Sequence, residues 1–88
     1  MIDKVELKEG CFDPDKWSEL KPGQMQKWTR HDKWLIGCPR CGNIIDVSNH
    51  KVEVNDNKEV TISPSIGHMP CRLHIFVKQG KIQYLSDL

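Results

Sequence analysis

The sequence predicts a single α+β domain, residues 1–88, that is mainly antiparallel β-sheet and has one short N-terminal helix. Its 88 residues supply one hydrophobic core and leave no room for a second. From residue 34 to residue 85, short apolar runs alternate with turn residues, which is typical of a β-rich core. Two pairs of candidate metal ligands lie within that core, and a bound ion often stabilises so small a domain.

The helix is predicted by residues that suit a helix start. Asp13 can cap free backbone N–H groups, and Pro14 fits the first helical position. This helix would carry Trp17 and Leu20 on one face and end before a Pro-Gly pair. The polar residues 24–33 that follow predict a loop or an irregular strand.

The strands are predicted by short runs of apolar and β-branched residues that turn residues separate. A hairpin is expected over residues 51–63, because the Asn and Asp residues in its middle tolerate the left-handed backbone of a turn. A second hairpin is expected around Gln79-Gly80, a favourable pair for a tight turn. The predicted strands cover residues 5–7, 34–36, 43–48, 51–54, 60–62, 74–78 and 81–85.

Two short motifs predict a zinc site. Cys38 and Cys41 have two residues between them, and so do Cys71 and His74. Zinc prefers four tetrahedral ligands drawn from Cys and His, and this spacing suits a tight knuckle or ribbon. Gly42 fits the unhindered backbone that often follows such a pair. These four protein ligands would close the coordination shell, so the zinc is expected to be structural.

Two other roles for the cysteines are the alternatives. Cys11 could replace His74 as the fourth ligand, but it has no partner at ligand spacing. Disulfides would require an oxidising compartment. The chain begins without the apolar core of a signal peptide and has no run of membrane-spanning length. A reducing cytoplasm is therefore expected, and there the cysteines are more plausible as metal ligands.

The charge balance does not favour nucleic acid or a membrane as a partner, because the net charge is only +1. A local basic patch is the alternative: Lys27, Arg30 and Lys33 surround Trp28 and Trp34, whose rings could stack on bases. The same two rings could instead pack in the core. A nucleic-acid-binding zinc module is therefore an alternative function.

One segment could form a catalytic site. Ser63, Ser65 and His68 lie close together in sequence, and Asp46 or Asp32 could orient the imidazole. However, Ser-Pro-Ser is equally suited to a turn, and the His-Glu-x-x-His motif of zinc proteases is missing. A role without catalysis is therefore favoured. The alternative is a peptidase with either serine as nucleophile and His68 as base.

Five motifs follow one another in a recognisable order, namely Leu20-Lys21-Pro22-Gly23, Cys38-Pro39-Arg40-Cys41-Gly42, Thr61-Ile62-Ser63-Pro64-Ser65-Ile66, Cys71-Arg72-Leu73-His74-Ile75-Phe76-Val77 and Gly80-Lys81-Ile82. This order, over roughly residues 20–85, resembles a small family of unassigned function from bacteriophages, prophages and bacterial mobile elements. Some members resemble components of bacterial ubiquitin-like conjugation operons, for which a peptidase role has been proposed. The resemblance implies a zinc-bound β-rich domain with the same four ligands.

Leu73 departs from the pattern of that family. The members that look most like enzymes tend to have a Ser immediately before the His of the second ligand pair. Leu can neither act as a nucleophile nor donate a hydrogen bond, so this departure argues against a peptidase. The segment Ser63-Pro64-Ser65 is retained.

The predicted function is that of a phage- or mobile-element-like accessory protein whose structural-zinc domain binds a host protein in the host cytoplasm. Such an interface often has an aromatic anchor, for which Trp17 and Trp28 are the candidates. The alternatives are a peptidase that acts on a ubiquitin-like or other protein tail, and a nucleic-acid-binding zinc module.

Overall fold

The computed structural model describes residues 2–11, 20–28 and 33–88, which contain eight strands and a single-turn 3₁₀ helix. The strands are β1 (Glu6–Cys11), β2 (Gln24–Trp28), β3 (Lys33–Gly37), β4 (Ile44–Asp46), β5 (Lys51–Val54), β6 (Val60–His68), β7 (Leu73–Lys78) and β8 (Lys81–Tyr84). The 3₁₀ helix, Met69–Cys71, forms the connection between β6 and β7.

The strands form two four-stranded sheets. The first has the order β1-β2-β3-β4, with β1 parallel to β2 and the other neighbours antiparallel. The second has the order β5-β6-β7-β8 and is antiparallel throughout. The residues before β1 join the second sheet at β8, because Val5 N donates to Gly80 O and Ile82 N donates to Asp3 O, both at 2.8 Å.

The main core contains side chains from both sheets. Met25 and Ile36 of the first sheet, and Ile62, Ile75 and Val77 of the second, are each at most 1% exposed and belong to one cluster. Buried and more exposed positions alternate along β6 and β7, as expected of strands that have one face on a core. The opposite face of the second sheet is therefore free to carry polar side chains.

Both predicted hairpins are present. In the β5–β6 hairpin, Val54 pairs with Val60, and Asn55 Oδ1 accepts hydrogen bonds from the backbone of the turn. In the β7–β8 hairpin, Gln79 and Gly80 both have positive φ, 49° and 79°, which is the backbone that a two-residue turn requires.

The predicted α+β class is wrong: the described residues contain strands and one 3₁₀ turn but no α-helix, so the described fold is all-β. The helix expected from Asp13 onward lies outside the described ranges. The stretch 24–28, expected to be a loop or an irregular strand, is β2, hydrogen-bonded to β1 on one side and β3 on the other. The polar composition of this strand made it hard to predict, because Met25 is the only apolar residue of β2 that is buried in the main core. None of the described residues belongs to a helix that could cross a membrane.

Candidate metal centre and active site

The first predicted ligand pair lies in a tight turn between β3 and β4. Gly42 N donates to Cys38 O at 2.9 Å, and Cys38 N donates to Asn43 O at 2.7 Å. Within the turn, the backbone N–H groups of Arg40 and Cys41 both donate to Cys38 Sγ at 3.4 Å. Gly42 has a φ of +81°, which a residue without Cβ adopts at little cost. The turn therefore has the form of a knuckle in which two backbone N–H groups donate to the Cys38 sulfur.

The second half of the site is the connection between β6 and β7. His68 is the last residue of β6, and Cys71 is the last residue of the 3₁₀ helix that follows. Arg72 has left-handed backbone with a φ of 59°, and its N–H donates to Met69 O at 3.1 Å. This geometry turns the chain back into β7 directly after the ligand residues.

Four candidate ligands meet where these two turns approach each other. The ligand atoms of Cys38, Cys41, His68 and Cys71, here called the Cys3His cluster, all lie within 4.8 Å of one another. The three cysteines are free thiols, and the Sγ atoms of Cys38 and Cys71 are 3.5 Å apart. His68 Nε2 is buried and has no hydrogen-bond partner among the described residues. An unpaired buried nitrogen is costly, and a metal ion would relieve that cost. The cluster therefore fits a metal ion.

The thiols of the cluster differ in their electrostatic surroundings. Burial raises the pKa of Cys38 to about 11. A hydrogen bond from the backbone of Asn43 lowers the pKa of Cys41. Without a cation, Cys38 therefore holds its proton at neutral pH, and a metal ion would supply the charge that favours its thiolate.

His74, predicted from the sequence as the fourth ligand, lies outside the Cys3His cluster. Its Nε2 is 2.9 Å from Ser65 Oγ, and its Nδ1 is 3.1 Å from Ser86 O. The structure thus brings the three predicted cysteines together and places His68 beside them. The sequence did contain a signal for His68, because His68 and Cys71 have the same two-residue spacing as the first cysteine pair.

Ser65 and His74, here called the Ser–His pair, lie on the same face of the second sheet. His74 is directly opposite Gly67, and Ser65 lies two residues from Gly67 along β6, which places it diagonally across from the imidazole. Gly67 has no side chain, and the side chain of Leu88 lies against it instead, since a Cβ at Gly67 would be 2.9 Å from Leu88 Cδ1. The pairing of β6 with β7 shifts between Ile62 and Ile66, so Ser65 lies in an irregular part of its strand. His50 Nε2 donates to Ser65 O at 3.1 Å and supports this irregular backbone.

The contacts of His74 suit it to accept a proton from Ser65. When Nδ1–H donates to Ser86 O, Nε2 carries the lone pair and accepts the hydrogen bond of the Ser65 hydroxyl. A serine next to an imidazole whose other nitrogen is held by an acceptor is the arrangement of an activated nucleophile. Here a backbone carbonyl takes the place of the usual carboxylate.

The other catalytic candidates from the sequence lie in different surroundings. Ser63 is on β6, two residues before Ser65, and His68 belongs to the Cys3His cluster. Asp46 accepts hydrogen bonds from the side chain and the backbone of Ser48, and these lower the pKa of its carboxyl group. It also forms an ion pair with Lys33. Asp32 lies outside the described residues. The structure therefore brings together Ser65 and His74, a combination that sequence proximity alone did not indicate.

The aromatic candidates for partner binding are only partly described. Trp28 is half-buried and packs against Leu20 and Leu35. Trp34 packs against the main core, with Lys27 Nζ 5.6 Å from the centre of its ring. Trp17 lies outside the described residues. The host-protein partner and the nucleic-acid alternative both stay predictions.

Together these features define a class, the small all-β domain that combines four candidate metal ligands with a hydrogen-bonded Ser–His pair. The family model described as bacterial ubiquitination-like system serine protease (BubE) matches residues 12–85, and the chain belongs to this family. This match confirms the predicted relation to peptidases of ubiquitin-like conjugation operons. The phage or mobile-element origin stays a prediction. No curated protein and no solved structure matches the chain.

Proposed function

We propose that this protein is a serine protease of a bacterial ubiquitination-like system in which Ser65 is the nucleophile and His74 is the general base. The observation that carries the proposal is the 2.9 Å contact between Ser65 Oγ and His74 Nε2. The family match supports the reaction class, and the hydrogen bond between His74 Nδ1 and Ser86 O supports the protonation state that the base requires.

The reaction follows from this geometry in two steps. Ser65 Oγ attacks the carbonyl carbon of a peptide bond while His74 Nε2 takes the hydroxyl proton. His74 then gives this proton to the departing amine, the C–N bond breaks, and the acyl group stays on Ser65 as an ester. In the second step a water oxygen attacks the ester carbon while His74 Nε2 takes a proton from that water. His74 then gives this proton to Ser65 Oγ as the bond from the acyl carbon to Oγ breaks and the acid product leaves.

The metal in this proposal is zinc, held by the Cys3His cluster. When bound, zinc would supply a tetrahedral cross-link and no open coordination position for catalysis. The placement of that cross-link supports its role: His68 follows Ser65 by three residues, and Cys71 precedes His74 by three. The cluster therefore braces the turn that joins the two catalytic strands, and the same turn holds Ser65 and His74 at their separation.

The substrate in this proposal is a protein of the ubiquitination-like system, cleaved at an extended segment such as a ubiquitin-like tail. Ser65 and His74 lie on a strand face and are both half-buried, so part of each side chain is exposed on the face where the backbone of an extended peptide would bind in this proposal. The family description supports the choice of system. The bond that is cut follows from the reaction class, and the sequence of the tail is left to experiment.

A fluorophosphonate probe tests this function directly. Such a probe forms a bond between phosphorus and the oxygen of an activated serine, and fluoride leaves. We expect the wild-type protein to be labelled and Ser65→Ala to be unlabelled. Ser63→Ala is the matched control, since it removes a hydroxyl from the same strand two residues away and should still be labelled. Peptide mass spectrometry that located the label on Ser63, or equal labelling of Ser65→Ala and wild type, would disprove the assignment.

A further inference from the structure

Arg40 connects three parts of the molecule through one side-chain nitrogen. It lies inside the knuckle of the first ligand pair, and its Nη1 donates to Asp87 Oδ1 at 2.9 Å. The same nitrogen lies 3.3 Å from Cys71 O and 3.5 Å from Arg72 O. Arg40 therefore contacts the second ligand turn and the segment that follows β8 at the same time.

Asp87 belongs to the segment that carries the acceptor for His74. Leu85 N donates to His74 O at 2.8 Å, which aligns this segment with β7. Ser86 O then accepts the hydrogen bond of His74 Nδ1 at 3.1 Å. The ion pair of Arg40 is thus one residue from the carbonyl that orients the imidazole.

We propose that Arg40 is a positioning residue for His74: by holding Asp87, it keeps the Ser86 carbonyl against His74 Nδ1 and links the Cys3His cluster to the Ser–His pair. This inference rests on the proposed function of Ser65 and His74. The carbonyl selects the tautomer with its proton on Nδ1, which leaves Nε2 free to accept the proton of Ser65. If the segment shifts, the tautomer with its proton on Nε2 becomes populated, and that form cannot act as the base.

The ion pair itself is too exposed to be important for stability. The Arg40 and Asp87 side chains are 36% and 56% exposed, and exposed pairs contribute little to the free energy of unfolding. A structural role would therefore leave almost no trace when the pair is broken. A positioning role predicts a loss of Ser65 reactivity in a protein whose melting temperature and metal content stay near those of the wild type.

Two variants break the pair from opposite ends in the full, zinc-loaded chain. Arg40→Gln removes the charge on the knuckle, and Asp87→Asn removes the carboxylate without touching the knuckle. Lys33→Gln is the matched control, because the Lys33–Asp46 pair is equally exposed, at 45% for each side chain, and lies in the other sheet. Two quantities are measured: the rate constant for fluorophosphonate labelling of Ser65, and the tautomer of the His74 ring by ¹⁵N NMR.

We expect both Arg40→Gln and Asp87→Asn to slow labelling roughly ten- to a hundredfold, in line with the effect of small misplacements on catalysis, and to give a mixture of His74 tautomers. Lys33→Gln should match the wild type in both measurements. Wild-type rates and an unchanged tautomer in both variants would overturn the inference and leave the proposed function standing. A slow Arg40→Gln beside a normal Asp87→Asn would also overturn it, since Arg40 would then act only within the knuckle.

The NMR measurement separates the two proposals if the wild type is not labelled at all. A tautomer change in both variants would then support the positioning of His74 by Arg40 while the protease assignment fails. An unlabelled wild type with no tautomer change in either variant would overturn both.

Discussion

Replacing His68 and His74 one at a time distinguishes the two roles that the structure gives them. His68 belongs to the Cys3His cluster, and its Nε2 is buried with no hydrogen-bond partner among the described residues. His74 instead contacts Ser65 and Ser86. We expect His68→Ala to weaken metal binding and lower stability, and His74→Ala to abolish labelling of Ser65 while the metal stays bound.

The size of the effect follows from the number of ligands. Structural zinc sites in small domains bind with about 10–16 kcal/mol. If the four ligands contribute about equally, loss of His68 removes roughly 3 kcal/mol, or roughly a hundredfold in affinity. Because the metal binds the folded protein, a similar free energy is lost from the stability of the zinc-loaded form. His74→Ala leaves all four ligands in place and should cost none of this.

Competition with a chromogenic chelator measures the zinc affinity, and urea denaturation with and without zinc measures the stability. Labelling with the fluorophosphonate probe reports on the Ser–His pair in the same samples. A His74→Ala protein that lost its metal, together with a His68→Ala protein that kept it, would refute the reasoning and support the ligand set predicted from the sequence. Chelated wild-type protein that kept its melting temperature would refute the structural role of the metal.

Two further predictions concern the core and the thiols. Leu73→Ser introduces the residue that the family resemblance leads us to expect at this position, but Leu73 is fully buried. Lost packing and a buried hydroxyl should therefore cost about 4 kcal/mol in urea denaturation, without faster labelling of Ser65. In metal-free protein at about pH 8, at a low temperature where circular dichroism shows that it is still folded, iodoacetamide should modify the exposed Cys41, whose pKa is lowered, before the buried Cys38. Burial raises the pKa of Cys38 to about 11, and the thiolate is the reactive form.

Each of these predictions has its own control. Val54→Ala shortens a side chain that is 40% exposed and should change stability far less than Leu73→Ser; equal losses would show that Leu73 does not pack as described. For the thiols, mass spectrometry of digested protein follows each site over time, and zinc-loaded protein should be protected at both. Faster modification of Cys38 than of Cys41 would contradict the assigned pKa directions.

The sequence picked out the three cysteines that the structure brings together in the Cys3His cluster, because ligand spacing is a local property. The choice between His68 and His74 is not local, since each lies three residues from Cys71, on opposite sides. The strand pattern distinguishes the two histidines. His74 lies between the buried Leu73 and Ile75 on β7, and because side chains alternate along a strand, it faces away from the core. His68 stands at the end of its strand, where the chain bends toward the knuckle.

The Ser–His pair could not be predicted from local pattern alone. Ser65 and His74 are nine residues apart, and they meet because the register of β6 and β7 pairs Gly67, two residues after Ser65, with His74. Hydrophobic alternation specifies which face each residue occupies, but it does not specify this register. The third group at the site is the backbone carbonyl of Ser86, which follows β8 and accepts the hydrogen bond of His74 Nδ1. Any residue at this position would supply the same carbonyl, so the residue type does not indicate the role.

The position of Leu73 changes how the departure from the family pattern should be interpreted. The resemblance seen in the sequence leads us to expect a Ser at this position, and on that expectation Leu73 is an argument against catalysis. In the structure Leu73 is fully buried in the core and pairs with His68, whereas the neighbouring His74 faces the opposite side of the sheet toward Ser65. A hydroxyl at position 73 would therefore lie on the core side of β7, away from His74 Nε2. The proposed nucleophile, Ser65, is present in this chain, so a Leu at position 73 leaves the proposed chemistry intact.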